Sequence, residues 1–111
     1  MYSTVMTSML CGIRAIPVQV EVDISTGLPA FEMVGYLSSE VREAKERVRT
    51  ALHNCGVSLP AKRITINLSP GNVRKTGTGF DLPIAVALLS AIGVLDEMCS
   101  RKKVFVGELN L

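Results

Sequence analysis

The 111-residue chain has no Trp, three Phe and two Tyr, so aliphatic side chains must fill its core. So few aromatics also deprive it of the base-stacking surface that single-strand binders interleave with basic residues. Its one histidine, His53, falls near the end of an expected surface helix and reads as a solvated helix-end residue. No His/Asp/Glu cluster has metal-ligand spacing. The three cysteines, Cys11, Cys55 and Cys99, form no C-x-x-C pair. That spacing suits neither a zinc site nor a disulfide framework and predicts buried free thiols in a reducing compartment. No run reaches the roughly 20 apolar residues that span a bilayer. Residues 1–16 lack an early positive charge and are interrupted by Ser3, Thr4, Thr7 and Ser8, which reads as a strand rather than a targeting segment. A soluble, cytoplasmic protein without membrane partners is expected.

What is present is a globular composition, 48% hydrophobic and 20% charged, of single-domain length. The net charge of +2 is too small to argue for nucleic acid by itself, so a local patch would have to supply that argument.

Residues 4–13 and 16–24 read as strands, the second with strict alternation of Val18, Val20, Val22 and Ile24 against Gln19, Glu21 and Asp23. A turn at 25–29 leads to a third strand over 30–34, and the three together predict an antiparallel meander. Ser38 or Ser39 caps a helix expected to run unbroken over 39–55, with Val41, Ala44, Val48, Ala51, Leu52 and Cys55 on its buried stripe. Gly56 ends it. RITINL, residues 63–68, is a strand with Ile64, Ile66 and Leu68 on one face. Asp81 is the expected N-cap of an apolar helix over 82–92, with Pro83 in the first turn and Gly93 at the end. A last strand begins at 104–106. The order β-β-β-α-β-α-β predicts a two-layer α/β sandwich, a mixed sheet with helices on one face.

Between the strand at 63–68 and the apolar helix lies a basic, glycine-rich loop, residues 70–81, held by rigid elements as functional loops often are. A P-loop needs G-x-x-x-x-G-K-[ST], but Gly71-Asn72-Val73-Arg74-Lys75-Thr76 is one residue short and has Arg where the second Gly belongs. Gly77-Thr78-Gly79 lacks the third glycine of a dinucleotide fingerprint. Ser69, Thr76 and Thr78 are hydroxyls near Lys75, yet a Ser–Lys dyad needs a desolvated lysine, and Lys75 beside Arg74 reads as exposed. Arg63, Arg74 and Lys75 are the candidate nucleic-acid contacts, backed by Lys62 and by Arg42, Arg47 and Arg49 on the first helix. The competing reading is a solvated rim paired with Glu40, Glu43 and Glu46.

The segments GIRAIPVQVEVDISTGLPAFEMVGY, VREAKERVRTAL, RITINLSPGNVRKTGTGFDLPIAVALL and VFVGELNL cover nearly the whole chain. They resemble the amino-terminal domain of the magnesium-chelatase-like AAA+ ATPases, within that group the bacterial ComM/YifB branch. The resemblance implies the ribosomal protein S5 domain 2-like fold shared with the Lon protease proteolytic domain. In Lon-type proteases the loop before the corresponding helix carries the nucleophilic serine, and Gly79 occupies that position here. The resemblance therefore implies no catalytic residue and no cofactor in these residues. ATP and Mg, with the Walker motifs, are expected after Leu111 in a longer chain. The implied partners are that ATPase domain, further copies of the chain in a ring, and DNA during processing in natural competence. Two other readings stay open: a DNA-binding module using Arg74 and Lys75, and a cryptic hydrolase using Thr76, Thr78 or Ser69.

Overall fold

The computed structural model describes residues 1–95 and 104–109. Strands β1 (Tyr2–Cys11) and β2 (Arg14–Ser25) form a hairpin, with Tyr2 opposite Asp23 and Cys11 opposite Arg14. The turn between them is Gly12-Ile13, and Gly12 takes the positive φ of 64° that a tight two-residue hairpin turn needs. Strand β3 (Ala30–Val34) follows, then helices α1 (Ser39–Arg42) and α2 (Ala44–Asn54), strand β4 (Arg63–Ser69) and helix α3 (Asp81–Ala91).

The four-stranded sheet has the order β1-β2-β4-β3. The expected antiparallel meander does not form, because β4 inserts between β2 and β3. It pairs antiparallel with β2 and parallel with β3. The physical reason is the quality of β4: Ile64, Ile66 and Leu68 are buried, and a central place gives that strand a backbone ladder on both sides. The five-residue β3, with Glu32 and Val34 exposed, is left at the edge.

Helices α2 and α3 cover one sheet face. Val5, Val18, Val20, Val22, Ile66 and Leu68 meet Val41, Val48, Ile84 and Leu88 there in one contiguous core. The apolar helix is buried mainly by its own chain: α3 packs on β1, β2 and α2, with Leu82 and Leu89 half-buried. Pro83 lies in its first turn, and Gly93 and Gly56 close α3 and α2 with φ of 84° each.

The single helix expected over 39–55 is two. Ser38 caps α1, its Oγ accepting from Val41 N at 3.2 Å, but the turn tightens at Glu43, whose carbonyl accepts from Glu46 N at 3.1 Å. The expected last strand reduces, among the described residues, to one parallel bridge between Val104 and Met6. The thiols also differ from expectation. Cys11, at the hairpin tip, and Cys55, at the end of α2, are exposed rather than buried, since both elements end in solvent; Cys99 lies outside the described residues.

Candidate functional site

The loop after β4 is not a free basic arm. Its middle runs back against the segment between β3 and α1: Lys75 N donates to Tyr36 O and Ser38 N donates to Lys75 O, both at 2.9 Å. That pairing draws the Lys75 side chain inward. Lys75 is fully buried, and its Nζ donates to the carbonyl of Pro70 at the start of the same loop. The expectation of an exposed Lys75 is therefore corrected. Burial alone pushes its pKa below that of an ordinary lysine, since an ammonium removed from water is disfavoured.

Arg74 remains exposed beside it, whereas Arg63 starts β4 at the far end of the strand and pairs with Glu32 at 3.3 Å. A seven-residue strand is about 20 Å long, so the fold does not gather Arg63 with the loop. DNA contact by this loop would rest on Arg74 rather than on three clustered cations. His53 is exposed, as expected.

Desolvation of Lys75 meets one requirement of a Ser–Lys dyad, but its Nζ is committed to the Pro70 carbonyl and the hydroxyls of Thr76 and Thr78 face other groups. Thr78 Oγ1 donates to Glu108 Oε2 at 2.8 Å, and Thr76 Oγ1 approaches Met9 Sδ at 4.0 Å. At Gly79 the main chain is committed as well: its carbonyl accepts from Gly107 N at 3.1 Å, and Leu82 N donates to Gly107 O at 3.0 Å. A Cβ at Gly79 would stand 3.3 Å from Val106 Cγ1, so glycine lets the 104–109 segment close over the start of α3.

The centre of this end of the molecule is Asp81. It is the first residue of α3 rather than its N-cap; Phe80 takes the cap position without a side-chain bond. The carboxylate is fully buried and faces Arg47 of α2, with Nε–Oδ2 at 2.8 Å and Nη2–Oδ1 at 3.0 Å. Leu109 N adds a third bond to Oδ2 at 3.3 Å. Arg47 also donates to the carbonyl of Glu40 at 3.1 Å. This two-point fork raises the Arg47 pKa above its ordinary value through the Asp81 hydrogen bond, against an opposing effect of burial. Nothing in the sequence announces it: the partners are 34 residues apart, and helix spacing directs Arg47 toward Glu43 instead.

Among the described residues there is no group of three or more His, Cys, Asp or Glu side chains that could hold a metal ion. Among the described residues no helix is long and apolar enough to cross a membrane. The chemistry of this end is thus a buried ion pair, a buried lysine clasp and a strapped glycine, all organised to hold three chain segments together.

The features the sequence shares with known proteins define the class. Residues 20–111 match the family described as subunit ChlI of Mg-chelatase, and the chain belongs to that family. It is 48% identical over 109 residues to the YifB protein of Escherichia coli, covering 98% of this chain and 22% of that relative. It is 46% identical over 100 residues to the competence protein ComM of Haemophilus influenzae, covering 90% and 20% respectively. A protein of Mycobacterium tuberculosis is 38% identical over 94 residues. The chain thus spans about a fifth of the length of the curated relatives it matches.

Proposed function

We propose that this chain is the non-catalytic amino-terminal domain of a ComM-like, Mg-chelatase-related AAA+ ATPase, and that it supports ring assembly or DNA engagement by the longer protein. The observation that carries this reading is the state of Gly79. Where a Lon-type enzyme of the implied S5 domain 2-like fold would carry its serine, this chain has a residue without a side chain. Its carbonyl and its neighbours bind the 104–109 segment instead. The surrounding polar groups, Lys75, Asp81 and Arg47, are spent on packing. The relatives are four to five times longer, which leaves room for ATP- and Mg-dependent machinery elsewhere in the protein, and the name of the Haemophilus relative links the reading to competence.

The test compares the full-length protein with a variant lacking residues 1–111, by sedimentation with ATP and Mg and by DNA binding. Loss of stable assembly or of DNA affinity, with ATP binding retained, is expected. A truncated protein that assembles and binds DNA like the intact one would overturn the proposal. So would covalent labelling of residues 1–111 by a serine-reactive fluorophosphonate.

A further inference from the structure

A second concave site lies at the other end of the sheet, where β3 and β4 begin beneath the last turns of α2. Its cavity is about 470 Å³, within the range of roughly 300–1,000 Å³ typical of ligand pockets. Phe31, Leu59 and Ile64 give it an apolar lining, and Arg49, His53 and Lys62 bring cationic and N–H groups to it. Among the described residues no carboxylate lines it. The Arg49 guanidinium lies 5.0 Å from the Phe31 ring centroid, and its ion pair with Glu46 is long, at 3.9 Å. Among the described residues Lys62 has no carboxylate partner at all.

A second observation meets the first. Ala30 and Phe31 of the lining belong to β3, the outer strand of the sheet. Among the described residues no strand pairs with its far edge. An edge strand offers a row of unpaired N–H and C=O groups to an incoming chain. Beside it here stands a pocket that could receive alternate side chains of a strand so added.

We infer that the β3 edge and its neighbouring pocket form a docking site for an extended acidic peptide segment of a partner protein. In that segment an aliphatic side chain alternates with carboxylates. Backbone pairing to β3 supplies register, the aliphatic group fills the space over Leu59 and Ile64, and the carboxylates meet Arg49 and Lys62. A nucleic acid fits less well, because the Arg49 guanidinium already covers the one aromatic face that a base would stack on. This site is separate from the Gly79 end and stands or falls independently of the assembly role.

The probe is a fluorescein-labelled ten-residue peptide of alternating Glu and Leu, titrated against the full-length protein by anisotropy. Saturable binding is expected. Arg49→Glu combined with Lys62→Glu should weaken it about tenfold or more, and the Gln pair at the same positions should weaken it less. Both positions are exposed, and circular dichroism checks that the variants fold. A Glu/Gly peptide should bind about tenfold more weakly, and N-methylation of alternate peptide amides should abolish binding. The inference is overturned by no saturable binding, by equal binding of the Glu/Gly or N-methylated peptide, or by indifference to the charge reversals. It is also overturned if an oligo(dT) strand binds more tightly at the same residues, which would make the surface a nucleic-acid site.

Discussion

Replacing Arg47 by Ala should be among the most damaging single changes to a polar residue in this domain. The Asp81 carboxylate is fully buried, and the change removes two of the three hydrogen bonds it accepts among the described residues, leaving there Leu109 N at 3.3 Å. Breaking a buried pair from one side typically costs about 3–5 kcal/mol, because a charge is left without compensation. Two features of the site reduce that figure. The Arg47 side chain is 21% exposed, so water can follow it out, and Asp81 sits in the first turn of α3, where the helix dipole favours an anion. A net loss of about 2–3 kcal/mol is expected, which lowers the urea midpoint by about 1–2 M. Asp81→Asn keeps the shape and one acceptor while leaving a guanidinium that can reach solvent, so it should lose only about 1–2 kcal/mol. The double variant should lose less than the sum of the singles by about 1 kcal/mol or more. With no Trp in the chain, far-ultraviolet circular dichroism is the probe of choice. Additive losses, or an Arg47→Ala loss smaller than that of Asp81→Asn, would refute the asymmetry argued from burial.

Lys75 makes a prediction with a definite sign. Its folded pKa lies below the ordinary lysine value of 10.5 because of burial, so the unfolded chain binds the proton more tightly. Its contribution should therefore become more favourable as pH rises from the lowered value toward 10.5, and be least favourable below it. Urea midpoints of the wild type and Lys75→Met across pH 7 to about 10.5 should diverge in slope, the variant being flatter; parallel curves would rule out the buried ammonium. Gly35 has φ of 136°, and a Cβ there would stand 2.7 Å from the carbonyl oxygen of Leu68. Gly35→Ala should lose about 2–4 kcal/mol, against about 1 kcal/mol for Gly12→Ala, where nothing lies within 4 Å. Equal melting temperatures for the two variants would discard the backbone clash as the cause.

Much of the fold was legible because it follows from local periodicity. The alternation of Val18, Val20, Val22 and Ile24 gave β2 one buried face, and Ile64, Ile66 and Leu68 did the same for β4. Ser38, Gly56, Pro83 and Gly93 marked helix ends where the structure has them. Strand partners were not legible in the same way. The meander was the nearest-neighbour solution, and β4 displaced it because a ladder on both sides outweighs a short connection.

The site divides along the same line. The missing P-loop glycine and the family relationship are properties of residue identity and spacing, so the chain's own order determined them. Which polar groups are buried depends on segments far apart in sequence. Lys75 looked like a solvated cation until pairing with Tyr36 and Ser38 turned it inward, and Asp81 looked like a helix cap until α2 brought Arg47 to it. The peptide-binding edge has the same origin: Phe31, Arg49 and Lys62 become one surface only when β3 takes the outside of the sheet. Local sequence sets which residues can form a strand or helix, but desolvation and charge pairing are set by distance in space, and only the tertiary packing decides that.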